Sequence, residues 1–183
     1  MLDLTRSLKN REQLQVSTRC PHIQLEAEVW PAGGFSGKAH YVRLLEALRS
    51  AHLEVGLRAA LGRADRQAAD HEYAALRCLD QDLGPTSRSA GKRPLSEAEA
   101  WGVSYVLIGS TAGAKTILNS ESMKPEWPQA YLEYQRDFAR SGGLRRFFDA
   151  LDAATIDLAR TKAAAIHLFE RLQTMMIEKT DDK

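Results

Sequence analysis

The stretch YVRLLEALRSAHLEV, Tyr41–Val55, sets its core-forming side chains at Tyr41, Leu44, Leu45, Leu48, His52 and Val55. Steps of three and four place those residues on one face of a helix, whereas a half-buried strand needs strict alternation. The same spacing recurs along the chain, and no run alternates convincingly with period two. The expected fold class is therefore all-α.

Working outward, a first helical region is expected over Leu4–Val29, with Pro21 kinking or restarting it beside His22 because proline has no backbone donor. Turn residues collect in WPAGGFSG, Trp30–Gly37, and Ser36 is placed to cap a second helix running to about Leu61. Asp65 is placed to cap a third helix carrying Tyr73, Leu76, Leu79 and Leu83, which Gly84-Pro85 stops. After a polar loop, Thr86–Pro94, Ser96 and Glu99 have the spacing of a capping box and open a fourth helix reaching about Leu118. A Pro-containing connection, Lys124–Pro128, leads to a Tyr-rich segment. Gly142-Gly143 separates that segment from a long last helix ending near Ile177.

The 183 residues, 44% of them hydrophobic, suffice for one buried core and predict a single domain over 1–183, with 1–6 and 178–183 as frayed ends. Lys and Arg total 25 against 24 Asp and Glu, so the weak overall field points to no nucleic-acid or membrane-surface partner. Cys20 and Cys78 lack metal-finger spacing, are too few for a disulfide framework, and are expected as buried apolar residues in a reducing compartment. Charges scattered through MLDLTRSLKNREQLQ leave no leader-like apolar segment, which predicts a cytoplasmic protein. The best apolar window, VSYVLIGSTAG, is far short of the roughly 20 residues of a membrane span.

Two stretches carry the chemistry. In YVLIGSTAGAKTIL, Tyr105–Leu118, Gly109 and Gly113 are four apart and share one helix face. Each mid-helix glycine costs about 1 kcal/mol relative to alanine. The compensation is either close helix packing or a wall of bare backbone against a flat ligand. In STRCPHIQLEAE, Ser17–Glu28, Thr18 and Glu26 flank His22 at helical spacing, so Glu26 can take a hydrogen bond from one ring nitrogen while the other binds a metal. His40, His52, His71 and His167 have no such flanking and are read as ordinary surface or core residues.

Together the two stretches resemble the bacterial haem oxygenases, the first matching the distal helix and the second the proximal segment. Weaker similarity extends through LRCLDQDLG, FFDAL and the last helix. The resemblance implies a single-domain haem-oxygenase-like helical bundle with a kinked distal helix. Haem would be both cofactor and substrate, opened with molecular oxygen and external electrons to biliverdin, carbon monoxide and iron. It implies His22 as the iron ligand and Thr18, Glu26, Tyr105, Gly109, Gly113, Ala114 and Arg146 as haem-binding positions. Gly109, Ser110 and Gly113 would form the catalytic distal face, with the Ser110 hydroxyl holding water for proton delivery and Thr111 as its substitute.

Tyr105 either donates to a haem carboxylate or spans the core boundary, and Arg11, Arg19, Arg145 and Arg146 compete as carboxylate partners, Arg146 being favoured. The implied partners are an electron donor such as a ferredoxin or reductase, and a biliverdin-accepting photoreceptor. Three positions depart from the family pattern. Ala114 stands where a second paired glycine is usual, Pro21 precedes the ligand, and Gln15 replaces a basic residue. These departures motivate the alternative of a non-enzymatic haem carrier or sensor on the same fold. A di-iron scaffold would need Glu-x-x-His pairs, which the chain lacks, and a plain helical interaction module is the reading left if haem does not bind.

Overall fold

Residues 8–53, 60, 65–86 and 94–177 are described in a computed structural model. Every regular element among them is helical: α1 (Asn10–Val29), a 3-10 turn (Pro31–Gly33), α2 (Lys38–His52), α3 (Arg66–Leu83), α4 (Glu97–Gly109), α5 (Thr111–Leu118), α6 (Ala130–Arg140), α7 (Gly143–Ala153) and α8 (Leu158–Ile177). None of these helices is long and apolar enough to cross a membrane. The expected start of the first helix, the expected end of the second, most of the Thr86–Pro94 loop and the frayed ends lie outside the described residues.

Helix-start signals act where they are purely local. The Asp65 carboxylate accepts from the backbone N–H of Gln67 and Ala68 at 2.9 and 3.2 Å. Ser96 and Glu99 form the reciprocal capping box, and α3 ends at Gly84 with φ 80°. Ser36 does not cap α2: Gly37 is the cap residue, and the Ser36 hydroxyl lies 3.1 Å from His40 Nδ1 instead.

Three further expectations are corrected. First, α1 runs unbroken through Pro21. Only one backbone donor is lost there, while Leu14 and Thr18 before it and Leu25 and Val29 after it hold the helix to one core. Second, the long last helix is two helices, α7 and α8, separated at 154–157. The Asn10 side-chain amide donates to the Leu151 and Ala154 carbonyls at the end of α7, at 2.8 and 2.9 Å, and Asp157 caps the start of α8 through the Arg160 N–H at 3.1 Å. Third, Cys20 is exposed and Cys78 only partly covered, so neither is the buried apolar residue expected.

Helix α8 is the spine. Its most extensive contacts are with α4 on one side and α1 on the other, while α2 joins it to α3 and α6 joins α3 to α5. Both flanking helices run in the same direction as α8. Ser96 and Glu97 sit with Thr155–Asp157, and Gly102 sits against Thr161–Ala165. On the other flank, Lys162 donates to Gln13 and the His22 ring meets Phe169. α1 and α4 scarcely touch each other.

Gly102 lets α4 come this close. A Cβ there would overlap the Thr161 carbonyl oxygen and lie 2.9 Å from Ala164 Cβ. Gly109, seven residues on and so on nearly the same helix face, has nothing within 4 Å of a built Cβ. Gly102→Ala is therefore expected to destabilise the protein by about 1–3 kcal/mol through overpacking. Gly109→Ala should stay within about 1 kcal/mol of the parent, on the stabilising side, because only helix propensity changes. Urea denaturation of the two variants measures the difference.

Candidate functional site

The fourth helix, expected to run to about Leu118, is two helices, α4 and α5. Ser110 separates α4 from α5, with its N–H bonded to the Val106 carbonyl at 3.0 Å and its hydroxyl donating to the Leu107 carbonyl at 2.7 Å. The Gly113 N–H then reaches the Ser110 carbonyl at 3.0 Å, a tighter three-residue turn. Gly109 is half-buried, Ser110 and Gly113 are exposed, and a Cβ at either glycine would meet open space. The close-packing explanation of the Gly109/Gly113 pair therefore fails. That role belongs to Gly102, which the four-residue glycine spacing did not single out.

Height along α8 brings the two sequence motifs together. Gly102 is level with Thr161–Ala165, and seven residues advance a helix by about 10 Å, so Gly109 comes level with Leu168–Leu172. The His22 ring stands edge-on to Phe169 with centroids 5.6 Å apart, at that same level. His22 and the bare backbone at Gly109 thus flank the spine at one height, on helices that scarcely meet. Near the start of α1, Phe148 of α7 bridges the pair: its ring lies 6.2 Å from Tyr105 of α4, and the Arg11 guanidinium of α1 sits over it at 5.4 Å.

The remaining predicted residues divide. His22 Nδ1 lies 3.8 Å from Glu26 Oε2, an ion-pair distance longer than a hydrogen bond, and the two side chains are 60% and 65% exposed. Thr18 is buried and spends its hydroxyl on the Leu14 carbonyl at 2.8 Å, so it faces the core rather than standing open beside His22. Ala114 is fully buried among core residues, and its methyl does not narrow the open face. Arg146 is held elsewhere, donating to Gln67 at 3.2 Å and to the Ser141 carbonyl at 2.8 Å. Two other concavities, about 270 Å³ where α4 and α8 begin and about 430 Å³ beside α1, α2 and the end of α8, contain none of the predicted site residues. Among the described residues, no group of three or more His, Cys, Asp and Glu side chains comes together that could hold a metal ion, as a di-iron site would require.

A buried polar cluster escaped the sequence reading. His52 on α2, His71 and Glu72 on α3, and Tyr131 and Gln135 on α6 are all buried. His71 Nδ1 lies 3.1 Å from the Tyr134 hydroxyl, and its ring packs against Phe138 at 3.8 Å between centroids. Asp82 on α3 accepts from the Ala130 and Tyr131 N–H groups at 2.9 and 2.8 Å, capping α6 from a neighbouring helix and so fixing Tyr131. His71 and Glu72 lie some 60 residues from Tyr131 and Tyr134 in sequence, which left no local signal for this cluster.

No family model matches the chain, and no curated protein matches it.

Burial pushes the His71 imidazole down to about 4, against 6.5 in the open chain, with Glu72 opposing the shift and His52 adding to it. Between those values the unfolded chain binds a proton that the folded chain does not. The contribution of His71 is intact above about pH 6.5 and is lost as pH falls towards 4, by roughly 3 kcal/mol at most. His71→Phe should flatten this acid limb, read as urea midpoints between pH 7 and 4 relative to the parent.

Proposed function

We propose that the chain is a haem oxygenase of the haem-oxygenase-like fold, binding haem between α1 and the α4–α5 break and opening the ring to biliverdin with release of iron and carbon monoxide. One observation carries this reading: two glycines on one face of α4, Gly102 closed against the spine and Gly109 open, with the open one level with His22. A flat ligand needs a wall without side chains, and an open glycine in a helix supplies it. The donor set fits as well. Glu26 stands beside Nδ1 of His22, which leaves Nε2 for iron, and the exposed ring is reachable.

When bound, haem supplies both the iron centre for oxygen chemistry and the ring that is oxidised, with molecular oxygen and electrons from a ferredoxin or reductase as co-reactants. The chain's own residues do the rest. His22 binds and Glu26 orients it, while the backbone at Gly109 and Gly113 sets how closely the ring approaches. The Ser110 hydroxyl, at the break, holds a proton that rotation about its Cβ–Oγ bond turns towards the groove. Tyr105 supplies a phenol on the Phe148 side of the groove. Two free thiols suit a reducing, cytoplasmic setting, and a biliverdin-accepting photoreceptor is the natural product partner. The exposure of His22 favours, as second reading, a haem carrier or sensor holding haem between the same residues.

Haem titration of the purified chain should give a Soret band that His22→Ala weakens, with affinity falling roughly tenfold or more and added imidazole restoring coordination. Given oxygen and an electron donor, the parent complex should lose that band and release biliverdin. A stable complex leaves the carrier reading, and a Soret band unchanged in His22→Ala removes both.

A further inference from the structure

The haem reading makes no use of the buried polar cluster, yet that cluster ends at the distal break. The His52 and Glu72 side chains are 0% and 3% exposed, and Nδ1 lies 2.5 Å from Oε2, in contact though not aligned as a hydrogen bond. His52 Nε2 lies 3.3 Å from the Tyr131 hydroxyl. That hydroxyl belongs to a fully buried side chain and faces Ser110 without a hydrogen bond to it, the Ser110 hydroxyl being given to the Leu107 carbonyl. Ser110 itself is exposed on the face that Gly109 and Gly113 leave open. The series therefore starts at a carboxylate inside the core and ends at a hydroxyl on the candidate reaction face.

We propose that Glu72, His52, Tyr131 and Ser110 form a proton path between the interior and the open face at the α4–α5 break. Burying a carboxylate and an imidazole is costly, and Glu72 Oε1 has no partner at all, so packing alone would be served better by apolar side chains. Every member of the series can donate and accept in turn. Other titratable groups facing members of the series are His71 and Cys78 on α3 and Tyr134 on α6. Burial keeps the His71 ring neutral above about pH 4 and pushes the Tyr131 and Tyr134 phenols up.

The transfer balances with one proton. The pair gives the His52 Nε2 proton to Tyr131 Oη, Tyr131 gives its hydroxyl proton to Ser110 Oγ, and Ser110 gives its own to an acceptor at the open face. The pair ends one proton poorer and the acceptor one richer. At rest the Ser110 hydroxyl donates to the Leu107 carbonyl, so its rotation is the gate, and solvent refills the pair along the same route. Glu72, His52 and Tyr131 act through Ser110 and are positioning residues. That the acceptor belongs to bound haem rests on the reading above, whereas the path itself does not.

The test uses the full chain without haem, its histidines labelled with nitrogen-15, and measures by NMR how fast the His52 ring proton exchanges with water. The expected result is fast exchange in the parent despite complete burial, slowed about tenfold or more by both Tyr131→Phe and Ser110→Ala. A resonance broadened away in the parent and sharp in both variants counts equally in favour. Equal rates in all three proteins, or a parent rate as slow as core amides, would make the pair purely structural and overturn the path. Ser110→Ala lies at an exposed position, so it keeps the test decisive if Tyr131→Phe folds poorly. Haem titration of the same samples is a separate readout, so failure of haem binding and failure of the path are told apart.

Discussion

The approach of α4 to α8 at Gly102 is the contact from which the rest of the arrangement follows. A hydrogen in place of a side chain lets the backbone of α4 meet the Thr161 carbonyl and the Ala164 methyl directly. That fixes one end of the helix pair at minimal separation. Seven residues later nothing lies within 4 Å of a Cβ built on the same face, just before Ser110 breaks the helix. α1 is held along the other flank by Asn10, Gln13 and His22, so an imidazole and a stretch of bare main chain stand at one height on either side of α8. A bulky residue at position 102 would push α4 outward along its length and remove the contrast between its closed and open ends.

The second layer serves the same break from behind. Asp82 caps α6 across the α3–α6 contact, and Tyr41 donates to the Pro128 carbonyl at 2.6 Å while stacking on Trp127. Both fix the start of α6, and with it Tyr131, against the buried end of α2. The core is thus not uniformly apolar: a line of polar atoms crosses it from Glu72 to the exposed Ser110. Such a line is tolerated in a low-dielectric interior only where neighbouring atoms hold it in place.

What could be read from the residues alone was what depends on near neighbours. Asp65 and the Ser96–Glu99 pair act through bonds to their own next turn, so their spacing is the whole of the information. The break at 154–157 was invisible because part of its cause, the Asn10 amide, lies 141 and 144 residues away in the chain. Pro21 misled for the opposite reason, since a local rule lost to packing on both sides of it. His22 and Gly109 were legible as motifs, but their common height is a property of α8. Gly102, a lone glycine, and the His52–Glu72 pair, joined across two helices, carried no pattern at all.

The attachment of α1 to the last two helices has a consequence for how the chain is made. Its first turn is tied to Leu151, Asp152 and Ala154, and its ring of His22 to Phe169. During synthesis at about 5–20 residues per second, α1 emerges roughly 7 to 30 s before these partners. Over that interval Leu14, Leu25 and Val29 lack the later helices against which they pack. The His22 ring acquires its setting against Phe169 only after α8 has been made.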